Sequence, residues 1–329
     1  MNSSIDNDLP AVVSRRRMLA LSLGTGLLGS HWPSAIASKL PASENEMWVD
    51  AARSRELPVL LRWPAGKPMG VIVHSHGLGG KKEGGDYWGK AWADAGLLVL
   101  HLQHPGSDGP ALKGGFSALR AAMAPEQLIA RMNDVRFAIA EINRRHASGA
   151  GLWGVVPREK MAVSGHSFGA RTTMLTAGWQ RNGHNGTDLQ PKAFVAFSPA
   201  LSNNNDLTQS RKEMASVTRP FLVCTGSLDG EILNNGETPQ SRRMVYDALP
   251  AGKKALLWLD GADHFTFSGN EKRIPSTFLA RREQITLDAE AAHHERVARI
   301  STAWLKEQLF GQAMSSMSGL GAADEFLRG

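Results

Sequence analysis

The sequence predicts an α/β fold, with helices on both faces of a mostly parallel central sheet. Short apolar runs recur along the chain, and several are apolar on both faces, which is typical of strands buried between two helical layers. Segments with helical periodicity separate these runs. Alternation of strands with helices indicates βαβ units, whose crossovers set successive strands parallel. With 42% hydrophobic and 21% charged residues, the chain can bury a core.

Seven apolar runs carry the strand signal. They lie at residues 58–63, 70–75, 97–102, 161–164, 193–197, 221–224 and 255–259. The single cysteine, Cys224, lies in one of these runs, so we expect it to be buried and structural, and it has no partner for an internal disulfide.

The clearest helix is predicted over residues 126–147. Its apolar residues alternate at spacings of four and three and so form one stripe, and Pro125 stands where the first helical residue is expected. The stripe consists of Leu128, Met132, Val135, Ile139 and Ile142. Three further helices are predicted at 170–177, 238–249 and 287–310. Weak periodicity over 103–124, 199–218 and 265–286 predicts long loops there.

We expect one domain over residues 38–329, because no linker, repeat or low-complexity stretch divides the chain. The tail after about residue 312 is rich in Ser, Gly and Met and is predicted to be poorly ordered. The net charge of +6 is spread out, and no Lys/Arg block of the nucleic-acid-binding type occurs outside the N-terminus. We therefore expect no nucleic-acid partner.

Residues 1–37 have the pattern of a Tat-type signal peptide. Ser14 precedes Arg15 and Arg16, an apolar stretch follows, and small residues lead to a cleavage position after Ala37. The apolar stretch has about a dozen residues, fewer than the roughly 20 that span a bilayer as a helix. We expect no stable membrane span, the Tat export machinery as partner of the precursor, and a periplasmic or secreted protein. A Sec signal and an uncleaved anchor are the alternatives.

Gly165-His166-Ser167-Phe168-Gly169 is the most informative motif in the chain. It follows the predicted strand at 161–164 and precedes a helix of small residues. A serine in G-x-S-x-G between a strand and a helix is typical of a nucleophile elbow, in which the glycines allow a turn that a Cβ would block. The context predicts Ser167 to be a catalytic nucleophile.

A serine nucleophile needs a histidine base and an acid that orients the imidazole. Asp229 follows the predicted strand at 221–224, and His264 follows the one at 255–259, in the chain order Ser, Asp, His of hydrolases with this elbow. Asp263 and Asp260 are the alternative acids. His293 and His294 lie in a polar helix and are predicted to be solvated.

An oxyanion hole is also required, because charge develops on the carbonyl oxygen in the transition state. One donor is expected to be the backbone N–H of Phe168. The other should come from the loop at 76–80, for which the N–H of Leu78 is our choice and that of Gly79 the second. The loop lacks the pattern of a phosphate or dinucleotide site, and His74 and His76 have no third ligand at suitable spacing. We expect no metal and no organic cofactor.

At these motifs the chain resembles the α/β-hydrolase superfamily, and most closely its group of platelet-activating-factor acetylhydrolases, chlorophyllases and dienelactone-hydrolase-like proteins. The segments that carry the resemblance lie at 73–80, 102–108 and 164–170, with S-H-G-L-G in the first and G-H-S-F-G in the last. The resemblance implies the α/β-hydrolase fold and the same five site residues. Dienelactone hydrolases proper use a cysteine nucleophile, whereas this chain has Ser167.

The sequence therefore predicts a serine hydrolase that cleaves a small-molecule or lipid-like carboxylic ester through an acyl-enzyme intermediate. Two alternatives remain open. The same three residues can hydrolyse amides or peptides, and a hydrolase scaffold can serve as a non-catalytic binding protein.

Overall fold

A mostly parallel sheet forms the centre of the fold in the computed structural model. The structure describes residues 43–201, 206–232, 236–270, 284–314 and 318–329. Nine described strands form the sheet. In chain order they are β1 (Glu44–Asp50), β2 (Arg55–Arg62), β3 (Gly70–Ser75), β4 (Leu97–Leu102), β5 (Met161–His166), β6 (Ala193–Phe197), β7 (Phe221–Leu228), β8 (Lys254–Asp263) and β9 (Glu325–Arg328). Across the sheet the order is β1-β2-β4-β3-β5-β6-β7-β8-β9.

Strands β3 to β8 pair in parallel, and antiparallel strands flank them at both edges. The parallel strands β3, β4, β5 and β6 are buried along their whole length, which explains their unbroken apolar sequences. The prediction of an α/β fold with a mostly parallel sheet is confirmed.

Helices cover both faces of the sheet. They are α1 (Asp86–Asp94), α2 (Gly115–Ala122), α3 (Pro125–Ser148), α4 (Phe168–Ala177), α5 (Leu207–Met214), α6 (Pro239–Ala248) and α7 (Gln284–Phe310). Apolar residues of α3, α4 and α6 pack in the core on one face, and those of α1 and α7 pack in the core on the other. The stripe predicted on α3 is buried as expected.

Several elements differ from the sequence-based expectations. The predicted loops at 103–124 and 199–218 contain α2 and α5, and α7 starts at Gln284, inside the third predicted loop. The predicted poorly ordered tail contains β9, which pairs with β8 and closes that edge of the sheet. The pattern missed β1 because its outward residues face solvent, and it missed β9 because four residues carry no periodicity.

Among the described residues, no helix is both long enough and apolar enough to cross a membrane. The predicted signal peptide at 1–37 lies outside the described residues. The loops after β3, β5, β6, β7 and β8 meet at the carboxyl edge of the sheet. In open α/β sheets, ligands bind at this edge.

Candidate active site

Ser167 lies between β5 and α4, in a sharp turn with a left-handed backbone. Its φ is 55° and its ψ is −113°, a conformation that L-residues rarely adopt. Its N–H donates to the carbonyl of Phe197 over 2.9 Å. A Cβ at Gly165 would collide with the backbone of Gly169, and a Cβ at Gly169 would collide with the backbone of Ser75. The turn therefore depends on both glycines of the motif.

His264 follows β8 and reaches Ser167. Its Nε2 lies 3.0 Å from Ser167 Oγ, within the distance needed for proton transfer. The imidazole is buried. The backbone carbonyl of His264 accepts a hydrogen bond from Nε2 of His166 over 3.0 Å. Burial, together with the neighbouring His264, lowers the pKa of His166 to about 3. His166 is therefore a neutral donor that fixes the position of the loop.

Asp229, near the end of β7, lies on the other side of the same imidazole. Its Oδ1 is 3.0 Å from His264 Nδ1, and its Oδ2 accepts a hydrogen bond from Thr225 Oγ1 over 2.8 Å. Burial alone would raise the pKa of Asp229, but Arg242, with Nε 2.8 Å from Oδ1, and the bond to His264 lower it below its usual range. The buried carboxylate is thus negatively charged and fixes the tautomer of His264.

The alternative acids have other partners. Asp263 accepts hydrogen bonds from the N–H and the hydroxyl of Thr266 and so stabilises the short turn after His264. Asp260 is exposed and accepts a hydrogen bond from Ser227. Of the three acids, Asp229 is therefore the one on His264 Nδ1.

Two residues that the sequence-based reasoning did not single out complete this cluster. Ser198 follows β6, has a φ of 50°, donates to Asp229 Oδ1 over 2.7 Å and lies with its Oγ 2.6 Å from His264 Nδ1. Arg242 of α6 also donates to the backbone carbonyls of Asp229 and Ser198. The position of Ser198, directly after a buried strand, is the signal that could have found it, whereas Arg242 lies in a helix with no such signal.

The two predicted oxyanion donors lie on the same cavity as Ser167. Within the part of the chain that the structure describes, the N–H groups of Leu78 and Phe168 donate to no protein acceptor. The N–H of Gly79, the second choice, donates to the carbonyl of Ser107 over 2.9 Å. The bond from Gly79 to Ser107 therefore favours Leu78 over Gly79 as the candidate donor from this loop.

A buried arginine holds the loop that carries Leu78. Arg131 of α3 donates to the carbonyl of His76, to Ser107 Oγ and to Thr172 Oγ1 of α4, and its guanidinium lies 5.0 Å from the ring centre of Phe168. Burial lowers the pKa of Arg131 to about 9, so the group remains charged at neutral pH. One side chain therefore links the two segments that carry the candidate oxyanion donors.

Ser167 opens into a cavity of about 740 Å³. The charged side chains among its described lining are Arg171, Glu237 and Arg242. Glu237 lies 2.7 Å from Nη2 of Arg171 and 2.6 Å from Nη2 of Arg242, and Asp229 Oδ1 lies 2.8 Å from Nε of Arg242, so two arginines and two carboxylates balance one another. The cavity is large enough for a drug-sized organic molecule and offers it a largely uncharged surface.

The described residues contain no group of three or more His, Cys, Asp or Glu side chains arranged to hold a metal ion. His74 and His76 bond to protein groups. Nδ1 of His74 shares a hydrogen bond of 2.9 Å with Ser164 Oγ, and His76 donates to the carbonyl of Gly77 and accepts from the N–H of His104. Cys224 is buried, as predicted, and burial raises the pKa of its thiol.

The prediction that His293 and His294 are solvated is wrong. Both are buried against the segment that follows β8, where His293 Nε2 bonds to the carbonyl of Asp260 and His294 Nε2 to that of Thr266. They face the sheet because α7 packs across it.

No protein-family model matches the chain, and a search of the curated proteins finds no match either.

Proposed function

We propose that this protein is a serine hydrolase of carboxylic esters with the α/β-hydrolase fold. The observation that carries the proposal is the continuous chain of contacts from Ser167 Oγ through His264 to Asp229, each of 3.0 Å. The left-handed backbone of Ser167, the presence of Leu78 and Phe168 on the same cavity and the sheet order support the same conclusion.

In the proposed reaction, Ser167 Oγ attacks the ester carbonyl while His264 Nε2 takes its proton. The N–H groups of Leu78 and Phe168 stabilise the negative charge on the carbonyl oxygen of the tetrahedral intermediate. When the intermediate collapses, the bond from the carbonyl carbon to the alcohol oxygen breaks, and His264 protonates the departing alkoxide. The alcohol leaves, and the acyl group stays on Ser167. A water molecule, deprotonated by the same histidine, releases the acid and restores the serine. Asp229 stabilises the imidazolium in both halves.

The same proposal includes export by the twin-arginine route, with the work of the enzyme in the periplasm or outside the cell. Its support is the motif at 14–19 and the small residues before Ser38. Replacement of both Arg15 and Arg16 by lysine should leave the precursor in the cytoplasm. Cell fractionation with an antibody against the mature chain measures this, and unchanged export would overturn the route.

Labelling with a fluorophosphonate probe, together with hydrolysis of nitrophenyl acetate, tests the activity. We expect the probe to attach to Ser167, and Ser167→Ala to lose both labelling and at least about a thousandfold of kcat. Ser148→Ala, which changes an exposed serine at the end of α3, is the matched control and should react as the wild type does. Hydrolysis that persists in Ser167→Ala would contradict the proposal, and binding without turnover would favour a non-catalytic scaffold.

A further inference from the structure

An apolar stripe, which we call the chain-binding stripe, forms one wall of the cavity at Ser167. Its members are Leu112, Phe116, Leu119 and Met123, and all four line the cavity. The last three recur at spacings of three and four residues and so share one face of α2 and its C-terminal end, whereas Leu112 belongs to the short turn before the helix. From Phe116 to Met123 the stripe extends for about 10 Å at 1.5 Å per residue.

Water reaches this stripe to an unusual extent. Phe116 is 82% exposed, the highest value for a large hydrophobic side chain among the described residues, and Met123 is 39% exposed. Only Ala122 of α2 is buried. Contiguous apolar side chains that remain open to water at a cavity are typical of a binding surface.

The stripe is continuous with the candidate oxyanion loop. Leu112 packs directly over Gly79, where a Cβ would collide with it. The N–H of Gly79 donates to the carbonyl of Ser107, and the N–H of Gly109 donates to that of Gly80, each over 2.9 Å. Leu112 is thus the member of the stripe that lies against the candidate oxyanion loop, and the other three continue from it along α2.

We propose that the chain-binding stripe holds an uncharged apolar chain of the substrate, so that the substrates are esters with a medium or long alkyl chain. The inference rests on the ester hydrolysis proposed above. Two observations favour such a chain over a charged group: the stripe is apolar, and the charged residues of the lining pair with one another at Glu237. The chain belongs to the acid or to the alcohol of the ester, and the experiment separates these sources.

The experiment compares two series of soluble esters, below the concentrations at which they form micelles. Nitrophenyl esters from acetate to octanoate lengthen the acid, and alkyl acetates from methyl to octyl lengthen the alcohol. Full burial of a methylene corresponds to about a fourfold gain in kcat/KM. In one series we expect at least about a tenfold rise over the first four added methylenes.

Phe116→Ala and Leu119→Ala should flatten that rise, since each removes apolar surface that the longer chains contact. Met47→Ala, at an exposed position on β1 outside the cavity, is the control and should keep the wild-type dependence. Rates that do not depend on chain length in either series would overturn the inference. So would an effect of Phe116→Ala that appears only with phospholipid vesicles, which would indicate docking on a lipid surface.

Failure of the proposed function gives a different result. If the wild type and Ser167→Ala hydrolyse all the esters equally, the activity proposed for Ser167 is wrong, whatever the chain length. Calorimetric binding of octyl acetate and methyl acetate to Ser167→Ala then tests the stripe by itself. Tighter binding of the octyl ester that is lost in the double variant with Phe116→Ala supports it, and equal binding of the two esters overturns it.

Discussion

Asp229 keeps a negative charge in a fully buried position, and its neighbours explain how. Arg242 contributes a compensating positive charge, and three hydrogen-bond donors occupy the two carboxylate oxygens. A buried carboxylate is stable only when it is paired and hydrogen-bonded in this way. The carboxylate, with Oδ1 3.0 Å from Nδ1, is what orients the imidazole of His264.

Replacement of Asp229 by asparagine should lower kcat by about 10⁴ with little change in KM, because an amide favours the wrong tautomer of the histidine. Steady-state hydrolysis of nitrophenyl acetate measures both constants. Asp260→Asn is the matched control, since Asp260 is exposed and does not contact His264. A loss of less than about tenfold in Asp229→Asn would identify another acid.

Ser198 should act as a positioning residue for the same imidazole. Its hydroxyl donates to Asp229 and its oxygen faces His264 Nδ1, so Ser198→Ala removes one contact from each. We expect kcat to fall about tenfold with KM unchanged, since hydrogen bonds to charged groups contribute about 1.5–3 kcal/mol. Ser164→Ala, which removes a buried hydroxyl bonded to His74, should keep the wild-type kcat. Equal losses in the two variants would show a general effect on stability instead.

The sequence locates Ser167, Asp229 and His264 because each follows a parallel strand, and such strand ends converge in space. Ser198 obeys the same rule and could have been found by it, but no motif around it adds to that signal. Arg131 and Arg242 could not be found this way. They reach the site from helices, and only the three-dimensional packing of those helices brings a guanidinium to a particular carbonyl or carboxylate.

At the scale of elements, seven of the nine described strands were predictable, whereas the two edge strands and some of the helices were not. The seven apolar runs correspond to β2 to β8, since burial on both faces leaves a plain mark in the sequence. By contrast, α2 begins at two glycines and has only eight residues, so its apolar spacing of three and four is too short a pattern to mark it. The edge strands β1 and β9 depend on pairing with β2 and β8, which no local pattern encodes.

Arg131 joins α3, α4 and the loop after β3, so its loss should affect both stability and catalysis. Arg131→Met leaves the carbonyl of His76 and two buried hydroxyl groups without their charged donor. We expect the free energy of unfolding to fall by about 3 kcal/mol or more, and kcat to fall with it. Urea denaturation measures the free energy of unfolding. Arg136→Met, on an exposed part of α3, is the control and should change stability by less than about 1 kcal/mol. Similar losses in both variants would contradict this bracing role.

For the whole molecule, a set of buried histidines links the fold to pH. Burial is the main cause that lowers the pKa of His101 to about 3 and of His104 to about 4, and His166 is lowered to about 3 in the same way. All three are neutral in the folded protein at pH 7. In the unfolded chain they take up a proton near the ordinary value of about 6.5.

The sign of the effect on stability follows from this difference. Below about pH 6.5 the unfolded chain binds more protons than the folded one, so the free energy of unfolding falls as the pH falls. Each histidine contributes up to about 1.4 kcal/mol per pH unit, between about pH 6.5 and its own folded pKa. Together, the three histidines should make the free energy of unfolding change by about 4 kcal/mol per pH unit near pH 5. We therefore expect the protein to unfold in mild acid.

His101→Asn tests this dependence, because an asparagine amide can still donate to the carbonyl of Gly84, which accepts from His101 Nδ1 over 3.1 Å. The variant keeps that hydrogen bond and loses one titrating group. Urea denaturation at several pH values from 7 to 4.5 should give a slope smaller by about 1.4 kcal/mol per pH unit than in the wild type. His184→Asn, at an exposed position, should leave the slope unchanged. A slope in His101→Asn equal to that of the wild type would mean that His101 does not resist protonation in the folded protein.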